Sequence, residues 1–527
     1  MNPSSTPNAS SDKGWVVRVA LSPPSLQDNS ADTDRLCRAL QHQFTLDHID
    51  IDLELRRQLP TLLRDNDYAL RCLVFQDRGC GVLVFAGPVE EETVLAGLAV
   101  DLGTTRVVVR LVDLDNRNTL AESSFDNPQI RIGPDILARI HHADTPGGLT
   151  ELNRLIIDEL NQQVAVLCET CHIRPQDIYL IAVAGNTTMS HLFAGLPVHW
   201  MIREPYIPAV NHFELIRARR LGLAAAPHAQ VLVLPNVGSY FGGDLISGIL
   251  FSGIHQQSET ALLVDVGTNA EVVLGNRDWL MACAGAAGPA LEGGMSRMGT
   301  TAAPGVIDRV RIDPATQTFD LHTIDNLPPV GICGSGVIDM AAQLFLASMI
   351  DIRGKFRPNA CKDRLNDRNG MPNLTIAAQE QSGHGRELTL SQADLDSLVR
   401  SKAAMYTILE TITAAMGVEL EQLTTFYVAG TFGSLINPRS AITIGMLPDL
   451  PLDCYRSIGN SSLGGAVMAL TQRSASGAIQ KIRDNITYME LNVNQDFMNR
   501  FSAAKFLPHT DRSRFASVPL GANSDKR

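Results

Sequence analysis

The 527-residue sequence predicts an α/β protein of two lobes, preceded by a smaller α/β domain. Val100-Asp101-Leu102-Gly103-Thr104-Thr105 and Val264-Asp265-Val266-Gly267-Thr268-Asn269 carry nearly the same message, each set between apolar, β-branched runs. Each reads as a strand, a tight Gly turn and a returning strand. Their separation is that of a domain, so one lobe architecture is expected twice. A third signal lies towards the C-terminus. There the apolar strand Phe426-Tyr427-Val428-Ala429 runs into the Gly-rich turn Gly430-Thr431-Phe432-Gly433-Ser434.

Composition bounds the reading. With 45% apolar and 19% charged residues, the chain suits a globular protein with a sizeable core and more than one domain. A net charge of −12 argues against nucleic acid as a partner. No apolar stretch is long enough to span a bilayer, and the polar start MNPSSTPNASSDKG lacks a signal core. A cytoplasmic location, with no membrane association, is therefore expected. The nine scattered cysteines suit reduced thiols. Cys168-Glu169-Thr170-Cys171-His172 matches the c-type haem pattern, but export is not indicated. The stretch from Leu149 to Ile173 has helical periodicity, so both thiols read as part of a core helix.

In chain order, residues 1–14 are expected to be a disordered leader and 15–95 the small domain. Its elements are a strand at 15–20, a helix at 31–42 capped by Asp32 or Thr33, a helical turn at 62–64, and strands at 69–75 and 82–85. The first lobe is expected over 96–228 and the second over 229–510, with a flexible tail at 511–527. Ile181–Met189 reads as a buried strand turning into a helix. The run of Ala and Gly from Ala284 to Gly294 permits close packing or hinge motion. Gly331–Gly336 opens an apolar helix through Leu346. Residues 356–388 read as a surface excursion, and Leu388–Gly417 as a helix.

The hairpins carry the chemistry. Glycine lets backbone N–H groups approach an anion, and Thr hydroxyls add donors. An Asp at the mouth of the turn can hold a Mg²⁺-bound water. A single Asp-x-Gly-Thr is ordinary turn chemistry. Two copies suggest a polyphosphate clamped between them. With the Gly430 turn third in order, the chain resembles the ASKHA superfamily, the actin-like, ribonuclease H-like ATPases that include sugar kinases and heat-shock chaperones. The resemblance makes the hairpins the phosphate-1 and phosphate-2 loops and the third turn the adenosine loop. It implies ATP and Mg²⁺ as cofactors, with Asp101 and Asp265 organising Mg²⁺ through water, and the attacking water. Gly103, Thr104, Thr105, Gly267, Thr268 and Asn269 would bind the outer phosphates. Gly430, Thr431 and Gly433 would support the adenosine. Lys402 either reaches the nucleotide or is a solvated helix charge. Glu271 is a candidate for positioning water, and Glu292 stays unassigned. His141, His142, His191 and His509 read as surface or hydrogen-bonded residues.

Further stretches narrow the resemblance. They include Asn127-Pro128-Gln129, Gly133-Pro134-Asp135 through Ile140, Val183-Ala184-Gly185-Asn186-Thr187-Thr188-Met189 and Pro205-Tyr206-Ile207-Pro208. Gly331–Gly336, Gly459–Ala466 and Phe506-Leu507-Pro508-His509 follow. In this order the chain resembles the reductive activators of corrinoid proteins over residues 15 to 510. The resemblance implies ATP-driven reduction of an inactive Co(II) corrinoid in a methyltransferase system, and a homodimer. Many members carry an iron–sulfur domain. No C-x4-C-x2-C run occurs here. No cluster is therefore expected in this chain, and electrons should arrive in trans from a separate ferredoxin-like protein. Arg106, where relatives have a third Thr, either touches phosphate or points to solvent. A small-molecule kinase of the same fold, or a non-redox ATP-dependent maturation factor, are the alternatives.

Overall fold

The structure is a computed structural model describing residues 13–90, 93–239, 241–267, 269–286, 298–368, 370–430, 433, 436–491 and 496–519. Two compact units emerge. One holds the described residues up to Phe251 together with Ser461–Asn485, and the other holds Ser252–Asn460 and the described residues from Ile486.

The first unit opens with a four-stranded sheet in the order β1-β3-β4-β2, from β1 (Val16–Ala20), β2 (Ile49–Ile51), β3 (Ala69–Asp77) and β4 (Cys80–Pro88). The helix expected at 31–42 spans Asp32–Phe44. Its N-cap is Ala31 with no side-chain bond, so neither Asp32 nor Thr33 caps it. The turn expected at 62–64 is the end of a longer helix, Leu53–Asp65, capped by Asp52 through the Glu54 N–H. Pro60 lies inside that helix. It forgoes one N–H bond, while Leu55, Leu59 and Leu63 bury the apolar face that holds the helix in place. Trp15 is fully buried and its indole N–H donates to the Ala469 carbonyl at 3.1 Å.

The second sheet has the order β7-β6-β5-β8-β10-β9. Its strands are β5 (Ala96–Leu102), β6 (Arg106–Asp113), β7 (Thr119–Asp126), β8 (Ile178–Gly185), β9 (Ile216–Arg217) and β10 (Gln230–Val233). β5 pairs antiparallel with β6 and parallel with β8. β10 lies parallel to β8, and so belongs to this unit, whereas the sequence places a division at 228. The helix Gly148–Cys171 packs Leu152, Ile156, Leu160 and Val164 into this core. Cys168 is buried near its end and its thiol is pushed up to about 11, chiefly by burial.

The second unit repeats the pattern. β11 (Ala261–Val266) pairs antiparallel with β12 (Asn269–Gly275), which pairs with β13 (Leu280–Ala286). Two small sheets come next in the chain, from β14 (Val306–Ile312), β15 (Phe319–Thr323) and β16 (Gly331–Ile332), and from β17 (Leu365–Arg368), β18 (Met371–Ala377) and β19 (Leu388–Ser391). β20 (Phe426–Ala429) then runs parallel to β11, β21 (Tyr455–Gly459) parallel to β20, and β22 (Ile486–Tyr488) closes the sheet beside β13. The five-strand core, three antiparallel strands followed by two parallel ones, occurs in both units, which is the duplication that the paired motifs require.

Residues 356–388 are largely exposed, as expected of a surface excursion, but they include a strand anchored in the core. Leu374 and Ile376 on β18 are buried in the core of this unit. The helix expected from Leu388 begins at Gln392, because Ser391 and Asp394 cap each other reciprocally and end β19 there. The segment from 511, expected as a free tail, packs in its described part: Phe515 is buried against Tyr406 and His509. Beyond Ala286, the Ala/Gly run lies outside the described residues until Met298, Glu292 with it.

Candidate functional site

In the first unit, Asp101 lies near the end of β5, opposite Val108 on β6 and Ala184 on β8. Its Oδ1 accepts a bond from Ser462 Oγ at 2.8 Å. Ser462 is near the start of the helix Ser461–Thr471. Gly103 makes the turn possible, since a Cβ there would stand 2.2 Å from the Arg106 carbonyl oxygen. Three side chains hold the turn. Asn127 Nδ2 donates to the Gly103 carbonyl at 2.9 Å, Asn186 Nδ2 to Thr104 Oγ1 at 3.0 Å, and Arg139 Nη2 to the Thr104 carbonyl at 2.6 Å. Thr105 is exposed, and its carbonyl accepts from the Asn127 N–H at 2.8 Å. Arg106 lies along the sheet, donating to Ser124 Oγ at 2.7 Å.

In the second unit, Asp265 on β11 faces Glu271 on β12 as a cross-strand partner and Ala429 on β20. Gly430 follows β20 with φ +82, and a Cβ there would stand 2.8 Å from Asp265 Oδ1. The fold thus brings the second hairpin and the third Gly turn together. Gly433 packs on the strand before it, where a Cβ would meet Val428 Cγ1 at 2.7 Å. Gly267 is half-buried at the turn. Thr268 and Thr431 lie outside the described residues, and of Asn269 only the backbone, which opens β12, is described. Two carboxylates opposite one another on adjacent strands repel, so Asp265 and Glu271 together favour a cation or a cationic donor.

Lys402, expected either at the nucleotide or in solvent, is neither solvated nor free to reach a nucleotide. It is fully buried in the helix Gln392–Ala415, and its ammonium donates to the carbonyls of Phe506 and of Pro508, the latter at 2.7 Å. Burial pushes the ammonium well below the usual lysine range. Its work is to tie the C-terminal segment to the core. His191 is likewise internal. Its Nδ1 bonds the Thr187 carbonyl at 2.7 Å and its Nε2 accepts from the Val210 N–H at 3.2 Å. His142 pairs with Glu151 at 2.9 Å. Among the described residues, three metal-donor side chains come together at Asp52, Glu54 and His228, and no three cysteines do.

Comparison with known proteins decides the family. A model described as the RACo linker region matches residues 14–89, one for the RACo middle region matches 96–257, and one for the C-terminal, ASKHA domain of RACo matches 259–519. The chain is also 30% identical over 431 residues to the corrinoid activation enzyme RamQ of Eubacterium limosum, covering 80% of this chain and 72% of that protein. The chain belongs to the RACo family. The [Co(II) methylated amine-specific corrinoid protein] reductase of Methanosarcina barkeri is 23% identical over 438 residues, covering 76% of this chain and 75% of that one. A solved structure titled reductive activator for corrinoid, iron–sulfur protein superposes with a TM-score of 0.87 at 35% identity, over 98% of this chain and 83% of that one.

For a RACo-family ASKHA fold, the residues around the first hairpin are the ones that sequence reasoning left without a role. Asn127, Arg139, Asn186 and Ser462 all stand in stretches that carry the family resemblance. Their partners are remote in sequence, so no local spacing announces the contacts.

Proposed function

We propose that this RACo-family chain is an ATP-dependent reductive activator, promoting reduction of an inactive Co(II) corrinoid protein to Co(I). The observation that carries the reading is a superposition of 0.87 on a reductive activator, in a chain whose duplicated hairpins keep Asp101 and Asp265 at corresponding strand ends. The partner is a corrinoid protein of a methyltransferase system. Electrons come in trans from a low-potential donor, a ferredoxin-like protein being the natural class. The active assembly is a homodimer.

The residues present fit Mg²⁺ and ATP. Asp101, Asp265 and Glu271 offer hard oxygen donors, and the bare α-carbons of Gly103 and Gly430 leave the turns open to close approach. Asp101 and Asp265 would be the residues to hold a Mg²⁺ through water, and the ion would supply neutralisation of phosphate charge. The backbone of Gly103–Thr105 and of Gly267 would orient the phosphates, with Thr104 Oγ1 fixed by Asn186. Ser462 would hold the Asp101 carboxylate in one rotamer. Gly430 would let the chain pass beneath the adenosine, and Thr431 and Gly433 are proposed to support it. Hydrolysis is then a matter of positioning and charge stabilisation, and its output is a bias towards one docked state of the partner.

The test is Mg²⁺-dependent ATP turnover with and without a Co(II) corrinoid protein. Wild type should turn over slowly and faster with the partner. Asp101→Ala and Asp265→Ala should lose turnover with the thermal midpoint kept. Wild-type turnover in either variant removes that aspartate from the mechanism.

A further inference from the structure

Arg139, one of the three side chains that hold the first hairpin, is among the most enclosed charged groups of the first unit. It sits in the helix Ile136–Ala143 with no measurable exposure, and among the described residues no carboxylate lies within ion-pair distance of it. Its four bonds all go to uncharged acceptors. Nε donates to the Gly133 carbonyl at 2.9 Å, Nη1 to Gln129 Oε1 and Met189 Sδ at 3.1 Å each, and Nη2 to the Thr104 carbonyl at 2.6 Å. Removing a guanidinium from water without a counter-ion costs several kcal/mol, which uncharged acceptors only partly offset. Burial lowers its pKa to about 10, with Asp135 opposing, so it remains a cation near neutrality.

The surroundings form one buried network that ends on the hairpin. Gln129, which receives Nη1, donates its own N–H to Asn127 Oδ1 at 3.0 Å and its side-chain amide to the Leu152 carbonyl at 2.9 Å. Asn127 in turn holds the Gly103 carbonyl. Two successive carbonyls of the turn, Gly103 and Thr104, are thus gripped by buried side chains. In a trans peptide the N–H points opposite to the C=O. The amides of Thr104 and Thr105 therefore face away from the network. Donation to a carbonyl also polarises the amide that shares its peptide group, making the N–H a stronger donor.

We propose that Arg139 is the positioning residue of the first phosphate hairpin: it fixes and polarises the Thr104–Thr105 peptide for a phosphate, whose negative charge balances the buried guanidinium. This rests on the reading of Gly103–Thr105 as a phosphate loop. Arg139 touches no phosphate itself and acts through the Thr104 carbonyl.

Calorimetry of Mg²⁺–ATP and of adenosine binding to the full chain tests it, using wild type, Arg139→Ala and Arg139→Lys. Both variants should bind Mg²⁺–ATP roughly tenfold more weakly, the scale of one charge-assisted bond, while adenosine affinity is kept. Low millimolar guanidinium should restore ATP binding to Arg139→Ala, and urea of the same shape and concentration should not. A purely packing role predicts that urea rescues as well as guanidinium, which would overturn the proposal. So would ATP affinity in Arg139→Lys within about twofold of wild type. Should Arg139→Ala not fold, Arg139→Lys alone decides. If wild type itself binds no Mg²⁺–ATP, the functional reading falls and this proposal with it. If wild type binds and Arg139→Lys binds equally, only this proposal falls.

Discussion

Gly430 is the residue where two of the sequence motifs meet. Its φ of +82 suits glycine, and a Cβ would be pressed to 2.8 Å from Asp265 Oδ1. Gly430→Ala should therefore cost about 1–3 kcal/mol of stability and displace the Asp265 carboxylate, lowering ATP turnover. Denaturant midpoints and turnover measured on the same preparation check both effects; unchanged turnover would separate Gly430 from the site. His191 makes a pH prediction. Its Nε2 accepts a backbone N–H, so protonation there breaks a bond inside the core. Burial holds its folded pKa below the unfolded value of about 6.5, so protons favour the unfolded chain. Stability is complete above that value and is lost as pH falls through it towards the folded pKa. Thermal midpoints should drop as pH falls from about 7 through about 6.5, and His191→Gln should flatten that slope. An equal slope in the variant would assign the effect to other groups. Lys402 shows what sequence alone misreads. Ala403, Met405, Tyr406 and Leu398 around it do signal burial, but its carbonyl partners at Phe506 and Pro508 lie far along the chain. Lys402→Met leaves those carbonyls without their donor and should cost about 1–3 kcal/mol while Mg²⁺–ATP affinity is kept; lost affinity with intact stability would return Lys402 to the nucleotide.

The helix Ser461–Thr471 ties the late sequence to the first hairpin. Gly465 lets it approach the helix Gly243–Ser252 so closely that a Cβ would meet the Ser247 carbonyl oxygen at 2.3 Å. Ser247 Oγ reaches back to the Ser462 carbonyl at 2.6 Å, and Ser462 holds Asp101. Gly465→Val should lower the thermal midpoint and ATP turnover together, through backbone displacement. Ser462→Ala should lower turnover several-fold and leave the midpoint within about 0.5 kcal/mol-equivalent of wild type. A Ser462→Ala enzyme with full turnover would leave Asp101 independent of this contact. At this scale the strongly patterned elements were legible. The hairpin strands, the buried strand before Asn186 and the helix after Cys333 announce themselves through β-branched runs and small-residue starts. Elements with mixed signals were not. Pro60 disguised the helix Leu53–Asp65, and polar Asn366, Asp367 and Arg368 disguised the β17–β18 hairpin, in which burial is confined to Asn373, Leu374, Ile376 and Ala377 on β18.

Across the whole molecule, three motifs in order identify a duplicated lobe. They do not reveal that residues 461–485 return to the first unit, because that placement rests on Trp15, Ser247 and Ser462 contacts between distant stretches. No helix among the described residues is long and apolar enough to cross a membrane. As the active assembly is proposed to be a dimer, light scattering at micromolar concentration should give twice the 57.1 kDa chain mass; a monomer under turnover conditions would contradict it. The energetic task is a one-electron reduction made less uphill, and each tenfold shift of such an equilibrium is about 59 mV. On the proposed function, ATP on this chain drives cobalt reduction with electrons from outside it. Anaerobic visible spectroscopy of a Co(II) corrinoid protein with a low-potential donor reads this directly. Co(I) should accumulate when this protein, Mg²⁺, ATP and donor are all present, and should fail to do so when ATP is withheld or Asp265→Ala replaces wild type. Co(I) formation at the same rate without ATP, or none with any donor, would contradict the account.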